Sequence, residues 1–381
     1  MRTHAALIIL ALCRDSAAAQ GTPSPETGSF IVRLGTDTLV VERFARAGNR
    51  LEGTHLSRSP QATVRVYTAV LGPNGTVERL EMAVRPAHAP DGPPVEQFVV
   101  HFRGDSVVVE IGQHTTRMVH FPAPEGALPY LGNSWALLEQ ATRRLRASGA
   151  GRISQSMWSV WSVAAGDTMT VELERRGADS ATVTIFAGAQ NAARVDAAGR
   201  ILGVRGMGDL SVERVATPDL AALTAAFARR PLGPLSPADS AQAAIPGAAV
   251  SVKYSRPAMR GRRIFGHVVP WGQVWRTGAN EATVFTTTAD LVIGGTTIPA
   301  GTYTLWTIPA PTGWQLIINK NTGQWGTDYR AEYDLARLDL RLDTLTQPVE
   351  RFTILLEPRG ERGVLKLEWE RTRAWVEFSK K

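Results

Sequence analysis

The sequence predicts a mainly β protein: a curved antiparallel sheet, half-barrel-like and carrying two helices, followed by a β-sandwich or jelly-roll. Three observations carry this. Many short segments alternate apolar and polar residues with period two, the mark of half-buried strands. Turn signals rich in glycine, asparagine and aspartate separate them. Helical periodicity appears in two places only. A chain of 381 residues, 44% hydrophobic and 20% charged, has a globular composition and the length of two domains.

Residues 1–19 read as a signal peptide. Arg2 supplies a positive start, Ala5 to Leu12 is an unbroken apolar run, and Ser16-Ala17-Ala18-Ala19 offers small residues for cleavage before Gln20. The run is far short of the ~20 apolar residues of a spanning helix, so no transmembrane span is expected. Cys13 is the only cysteine. Leu12 before it is larger than a lipoprotein processing site wants, so lipid anchoring through Cys13 is the lesser reading. Cleavage leaves a chain without thiols, which excludes disulfides and zinc–cysteine sites. The expected location is the periplasm or the exterior.

Residues 28–229 form the first expected domain. Ser29–Leu34, Thr63–Tyr67, Ser106–Ile111, Met169–Glu174 and Ala181–Phe186 alternate as strands, with turns at Gly35-Thr36-Asp37, Gly72–Gly75, Arg103-Gly104-Asp105 and Asp196–Gly199. Ser134 is a good N-cap for a helix to Ala147, with Trp135, Leu138 and Leu145 on one face. Thr217-Pro218-Asp219 starts a second helix, with proline in its first turn and Leu220, Leu223 and Phe227 on one face. Both helices are expected across the concave side of the sheet. That layout is similar to the half-barrel of periplasmic lipoprotein carriers, by architecture and not by motif. Met157, Trp158, Val160 and Trp161 either line the hollow as a ligand site or fill it as core.

Residues 230–247, rich in proline, alanine and serine, read as a linker. The second domain, 248–381, is all strand and turn. Ala289–Ile293, Gly294-Gly295 and Thr296–Pro299 read as a tight hairpin. Tyr303–Ile308, Trp314–Ile318, and the alternating sets Leu338/Leu340/Leu342, Phe352/Ile354/Leu356 and Leu365/Leu367/Trp369 continue the pattern. Its distinctive stretches are Ser251–Pro257, Arg260-Gly261-Arg262, Trp275–Thr283, Pro299–Trp306, Ile318-Asn319-Lys320 and Gln324-Trp325-Gly326. In that order, over 248–378, they resemble domain of unknown function 2911, a family of exported bacterial β domains. The resemblance implies an exported β domain and assigns no activity.

The net charge is +7, and the basic residues are almost wholly arginine, since lysine occurs only at 253, 320, 366, 380 and 381. The arginines alternate with acids, as in Val77–Glu81 and Arg337–Asp343, which argues for solvated strand faces and against nucleic acid. No metal site is expected: His114 and His120 are ~20 Å apart along a strand, and His55, His88, His101 and His267 are isolated. Nor is a cofactor, because no phosphate-binding glycine loop, dinucleotide fingerprint, His-Glu-x-x-His or nucleophile elbow occurs. No feature fixes an oligomeric state.

The candidate ligand-binding residues are Arg276, Asn280 and Glu281 in one glycine-containing loop and Asn319, Lys320 and Trp325 in another. If the loops meet, Trp325 offers a stacking platform and Glu281 with Lys320 an acid/base pair. The opposing reading is structural: an Arg276–Glu281 ion pair pinning a loop, and Trp271, Trp275 and Trp325 as core. The leading expectation is a non-catalytic cell-envelope protein that binds a lipid, glycan or protein partner. The alternatives are a periplasmic hydrolase using Glu281, and a structural or assembly protein of the envelope.

Overall fold

The structure, a computed structural model, describes residues 25–112, 117–160, 166–185 and 190–381. The expected signal peptide (residues 1–19), Cys13, His114, Trp161 and Phe186 lie outside the described residues.

The first region runs β1 (Glu26–Leu34), β2 (Asp37–Ala47), β3 (Arg50–Ser57), β4 (Thr63–Leu71), β5 (Val77–Pro86), β6 (Glu96–Arg103), β7 (Ser106–Ile111), β8 (Arg117–Pro122) and β9 (Leu128–Tyr130). After helix α1 (Trp135–Ala147) come β10 (Arg152–Ser159), β11 (Thr168–Arg175), β12 (Ser180–Thr184), β13 (Gln190–Val195), β14 (Ile201–Gly206), β15 (Leu210–Val215) and α2 (Leu220–Arg229). Among the described residues these strands make one sheet of fifteen, ordered 8-7-6-5-4-3-2-1-15-14-13-12-11-10-9. Neighbours are antiparallel except β9 and β10, so the sheet is a long meander joined through β1 and β15. Its edges are not hydrogen-bonded into a barrel. They are drawn together by side chains instead: Phe121 of β8 packs on Trp158 of β10 with ring centroids 6.0 Å apart.

The two helices part company here. Ser134 caps α1 as expected, its hydroxyl accepting from the Leu137 amide. The helix lies inside the curve of the sheet, where Trp135, Leu138 and Leu145 join the core with Ala136, Leu137 and Ala141, and Glu139, Gln140 and Thr142 are buried too. A helix surrounded by sheet is buried nearly all round. Helix α2 is not on the concave side. Phe227 packs with Val41, Leu56, Ala62, Val64 and Ala87, which alternate with the inward-facing residues and so belong to the outer face. Asp219, not Thr217, is its N-cap, accepting from the Ala222 amide at 3.0 Å, so Pro218 precedes the helix and is outside its first turn.

The hollow is filled. Met157 and Trp158 are 0% exposed and Val160 4%, all in the core around α1. These three are packing residues; the ligand-lining alternative does not hold for them.

The second region runs β16 (Ala238–Ile245), β17 (Ala248–Ser255), β18 (Thr283–Thr287), β19 (Leu291–Ile293), β20 (Thr296–Ile298), β21 (Gly301–Ile308), β22 (Trp314–Asn319), β23 (Asp334–Arg359) and β24 (Arg362–Lys380). The order is 16-17-18-21-22-23-24-19-20. Strand β23 serves both halves: it pairs with β22 up to Leu340 and with β24 from Arg341, and its register breaks around Val349. That bend folds the sheet so that β16 lies near β23 and β24, with one core between. This is sandwich-like, as expected. The Gly294-Gly295 hairpin has φ of 53° and 83°, the positive pair that a type I′ turn requires.

The linker reading fails beyond residue 237. Residues 238–245 are β16, paired with β17 from Ala238↔Ser255 to Ile245↔Ala248. Its small alanine and serine side chains give little hydrophobic contrast, so the period-two signal is faint. The connector that remains, 230–237, is tied to the first sheet. Arg58 Nε donates to the Arg230 carbonyl at 2.8 Å, and the Leu232 amide to that of Arg58 at 3.0 Å.

Candidate functional site

Between β17 and β18 the chain makes a long excursion, residues 256–282, without regular structure. Its first half docks on the first sheet. The buried Arg260 guanidinium holds Asp37, the Thr36 amide donates to the Arg260 carbonyl at 3.0 Å, and Arg262 donates to the Gly208 carbonyl at 2.8 Å. Its second half carries the predicted site loop. Trp275 pairs in β-fashion with Thr307, which turns the indole into the core against Phe352 and Trp369. Thr277 and Thr283 then lock the loop: Thr283 Oγ1 donates to the Thr277 carbonyl at 2.8 Å and Thr277 Oγ1 to Thr307 at 3.2 Å, with all three buried. Thr277 and Asn280 both have positive φ, 52° and 57°, so the loop is held in a conformation that most side chains disfavour.

The two predicted loops meet. Glu281 bridges Trp325, the Ala282 amide donates to the Gln324 carbonyl at 3.3 Å, and the Gly326 amide to that of Asn280 at 3.0 Å. Gly326 is needed: a Cβ there would lie 2.3 Å from Arg276 Cδ and 2.5 Å from the Asn280 carbonyl oxygen. Directly opposed residues of an antiparallel bridge project to the same side, so Trp325, 53% exposed, stands beside Glu281.

The six residues have different fates. Asn319 is fully buried and its amide is spent on the loop: Nδ2 donates to the Arg330 carbonyl and to Asp334, and Oδ1 accepts from the Asn321 amide. It shapes the turn and is closed to ligand. Asn280 Nδ2 reaches the Ser236 carbonyl and Ser255, pinning the loop to β17. Arg276 is half-buried, and burial lowers its pKa. Among the described residues its side chain makes no hydrogen bond or ion pair, so the expected Arg276–Glu281 pair is not formed. Glu281 and Lys320 are exposed, and they form no ion pair with each other. Trp275 is core as the structural reading had it, whereas Trp271, 39% exposed, and Trp325 are not buried.

Beside Glu281 runs an open groove of about 540 Å³, lined by Asp239, Lys253, Tyr254, Ser255, Glu281 and Val284. Asp239 is engaged by Arg256 at 3.0 Å. Lys253 and Glu281 make no such contact among the described residues, so one cationic and one anionic group face the groove unengaged. Asp239 is missed by the sequence because β16 reads as linker, and Lys253, though inside the distinctive stretch Ser251–Pro257, because a single lysine on a strand points to no chemistry by itself. The rarity of lysine in an arginine-rich chain was the available signal. Among the described residues no cluster of three or more His, Cys, Asp or Glu is placed to hold a metal ion. No described helix is long and apolar enough to cross a membrane.

Residues 236–378 match the family described as protein of unknown function DUF2911. The DUF2911 match takes in β16, which agrees with that strand belonging to the second sheet. Among solved structures, the chain is similar to a β-barrel-like protein of domain of unknown function DUF1849 from Brucella abortus, at 11% identity and a TM-score of 0.34, over 50% of this chain and 94% of that one. It is also similar to a DUF1089 family protein from Pseudomonas aeruginosa, at 16% identity and a TM-score of 0.31, over 50% and 95%. No curated protein matches the sequence.

Proposed function

We propose that this is an exported, non-catalytic protein of the cell envelope, and that it binds a glycan in the groove beside Trp325. The observation behind this reading is an indole more than half exposed, on a loop locked by buried threonines, next to a groove with Lys253 and Glu281 unengaged. An aromatic face beside a few convergent polar groups suits a sugar ring, whose faces are apolar and whose rim is polar. A lipid is less well served, because the hollow of the first sheet is packed around α1. The hydrolase alternative lacks support: among the described residues Glu281 hydrogen-bonds to no second titratable group that would share acid and base roles.

Titration calorimetry with soluble peptidoglycan and capsular oligosaccharides tests the reading. Wild type should bind saturably, and Trp325→Ala should weaken binding at least about tenfold, with its melting temperature unchanged. Failure of every oligosaccharide, or a Trp325→Ala protein that binds like wild type, would falsify it. Cell fractionation with N-terminal sequencing tests export, with Gln20 expected as the first residue.

A further inference from the structure

A second groove lies where the two sheets meet, away from Trp325. The first sheet contributes Arg205 and Asp209, and the 256–282 excursion contributes Arg262, Arg263 and His267. Its volume, about 680 Å³, is within the range of ligand sites, and sites of this kind favour such junctions.

The charges in it do not balance. Arg262 is buried, and its guanidinium donates to the carbonyls of Ala258, Met259 and Gly208. Those dipoles solvate the cation; among the described residues no carboxylate forms a direct ion pair with it, and Asp209 and Glu350 act on it only from a distance. Arg263 is exposed, and its side chain makes no hydrogen bond or ion pair among the described residues. Arg205 has only Glu213, 3.9 Å away, with its own side chain 72% exposed. The one acid in the groove, Asp209, is taken by His267 Nε2 at 2.6 Å. The groove is thus lined by two exposed guanidinium groups, with the buried cation of Arg262 beneath them, and by one carboxylate, which is occupied.

We propose that this groove binds a phosphorylated ligand that bridges the two sheets. Guanidinium forks match phosphate oxygens in bidentate fashion. The fixed charge of Arg262 supplies the field at the floor, and Arg205 and Arg263 close on the ligand from opposite sheets. The phosphate belongs either to a free ester or to a lipid headgroup.

The test uses the full mature chain at low salt. Inorganic pyrophosphate is titrated by calorimetry, and vesicles of phosphatidylglycerol in phosphatidylcholine are co-sedimented. At least one probe should bind saturably and lose affinity as salt is raised. The double variant Arg205→Glu/Arg263→Glu should weaken that binding at least about tenfold, and Trp325→Ala should leave it unchanged. Both arginines are exposed, so the melting temperature of the double variant checks that folding is intact, and Arg263→Gln offers a milder second variant with a smaller loss. Pyrophosphate binding shows that a free phosphate group suffices; vesicle binding alone identifies a headgroup. If neither probe binds, or if the double variant binds as wild type does, the proposal is overturned. Neither result bears on the groove beside Trp325, which is tested with soluble peptidoglycan and capsular oligosaccharides.

Discussion

The two sheets solve the same problem, filling the inside of a curved β surface, by opposite means. The fifteen-stranded sheet encloses more space than its own side chains occupy, and α1 fills it. A helix brings polar ends with it, whose first amides must find acceptors. Glu42, fully buried on β2, supplies them: its carboxylate accepts from the Trp135 and Ala136 amides at 2.8 and 2.9 Å, and from Tyr67 and Ser134. Burial raises the Glu42 pKa against the pull of those four bonds. Further along the helix, buried Glu139 binds Arg143, Arg214 and the Ile201 amide, and Arg143 also binds Glu26. The nine-stranded sheet needs no helix. Its fold closes on aromatic rings: Phe265, Trp275, Trp314, Phe352 and Trp369 pack face and edge with centroids 4.7–6.2 Å apart. Both enclosures have an apolar core; the larger adds directed polar contacts around its helix, and the smaller a cluster of aromatic rings.

Shape-preserving substitutions separate these cases most sharply. Glu42→Met keeps the size and leaves two helix amides and two hydroxyls without their acceptor, so a loss of about 3 kcal/mol is expected in urea unfolding. Trp369→Phe removes part of a ring and one hydrogen bond to the Glu350 carbonyl, and about 1–2 kcal/mol is expected. A Trp369→Phe loss equal to or above that of Glu42→Met would break the comparison.

Acid should act through the first sheet. His55 is fully buried on β3 beside the Gly132 backbone, and neither ring nitrogen completes a hydrogen bond of ordinary geometry. Burial first, and then the charge of Arg65, hold its pKa down at about 3. The unfolded imidazole titrates near ~6.5. Between those values the unfolded chain binds the extra proton, so stability is full above the upper one and falls as the pH drops through the window. From about pH 6.5 to 5 the loss is about 2 kcal/mol. Glu42 acts in the opposite sense: with its folded pKa raised, its contribution declines as pH rises above ~4.5. Urea midpoints at pH 7 and 5 should show the His55 effect, and His55→Leu should flatten it; an equal slope in the variant would assign acid sensitivity elsewhere.

The smallest effect is expected at the join. Arg260→Ala removes the ion pair to Asp37 and leaves the backbone contacts with Thr36, so about 1 kcal/mol should be lost. Calorimetry should then show the two sheets melting further apart in temperature. A single transition at the wild-type temperature would mean that the pair does not couple them.

Much of this architecture is visible in the linear chain. Period-two alternation places most strands, Ser134 marks the start of α1, and the double glycine at 294–295 marks a hairpin, because each depends on residues a few positions apart. The meeting of the 276–283 and 319–326 loops was conditional on the fold, and the path of β22 and its following turn brings it about. Local pattern cannot tell the two faces of a sheet apart, so the sequence places α2 on the concave face and the structure puts it on the outer one. Nor does it show how much space a curved sheet encloses, on which the burial of α1, the need for Glu42 and the packing of Trp158 all depend. The role of Arg262 likewise depends on carbonyls from both sheets. Propensity and alternation are properties of neighbours in sequence, and they determined the elements; enclosure and charge balance are properties of neighbours in space, and only the tertiary structure decided them.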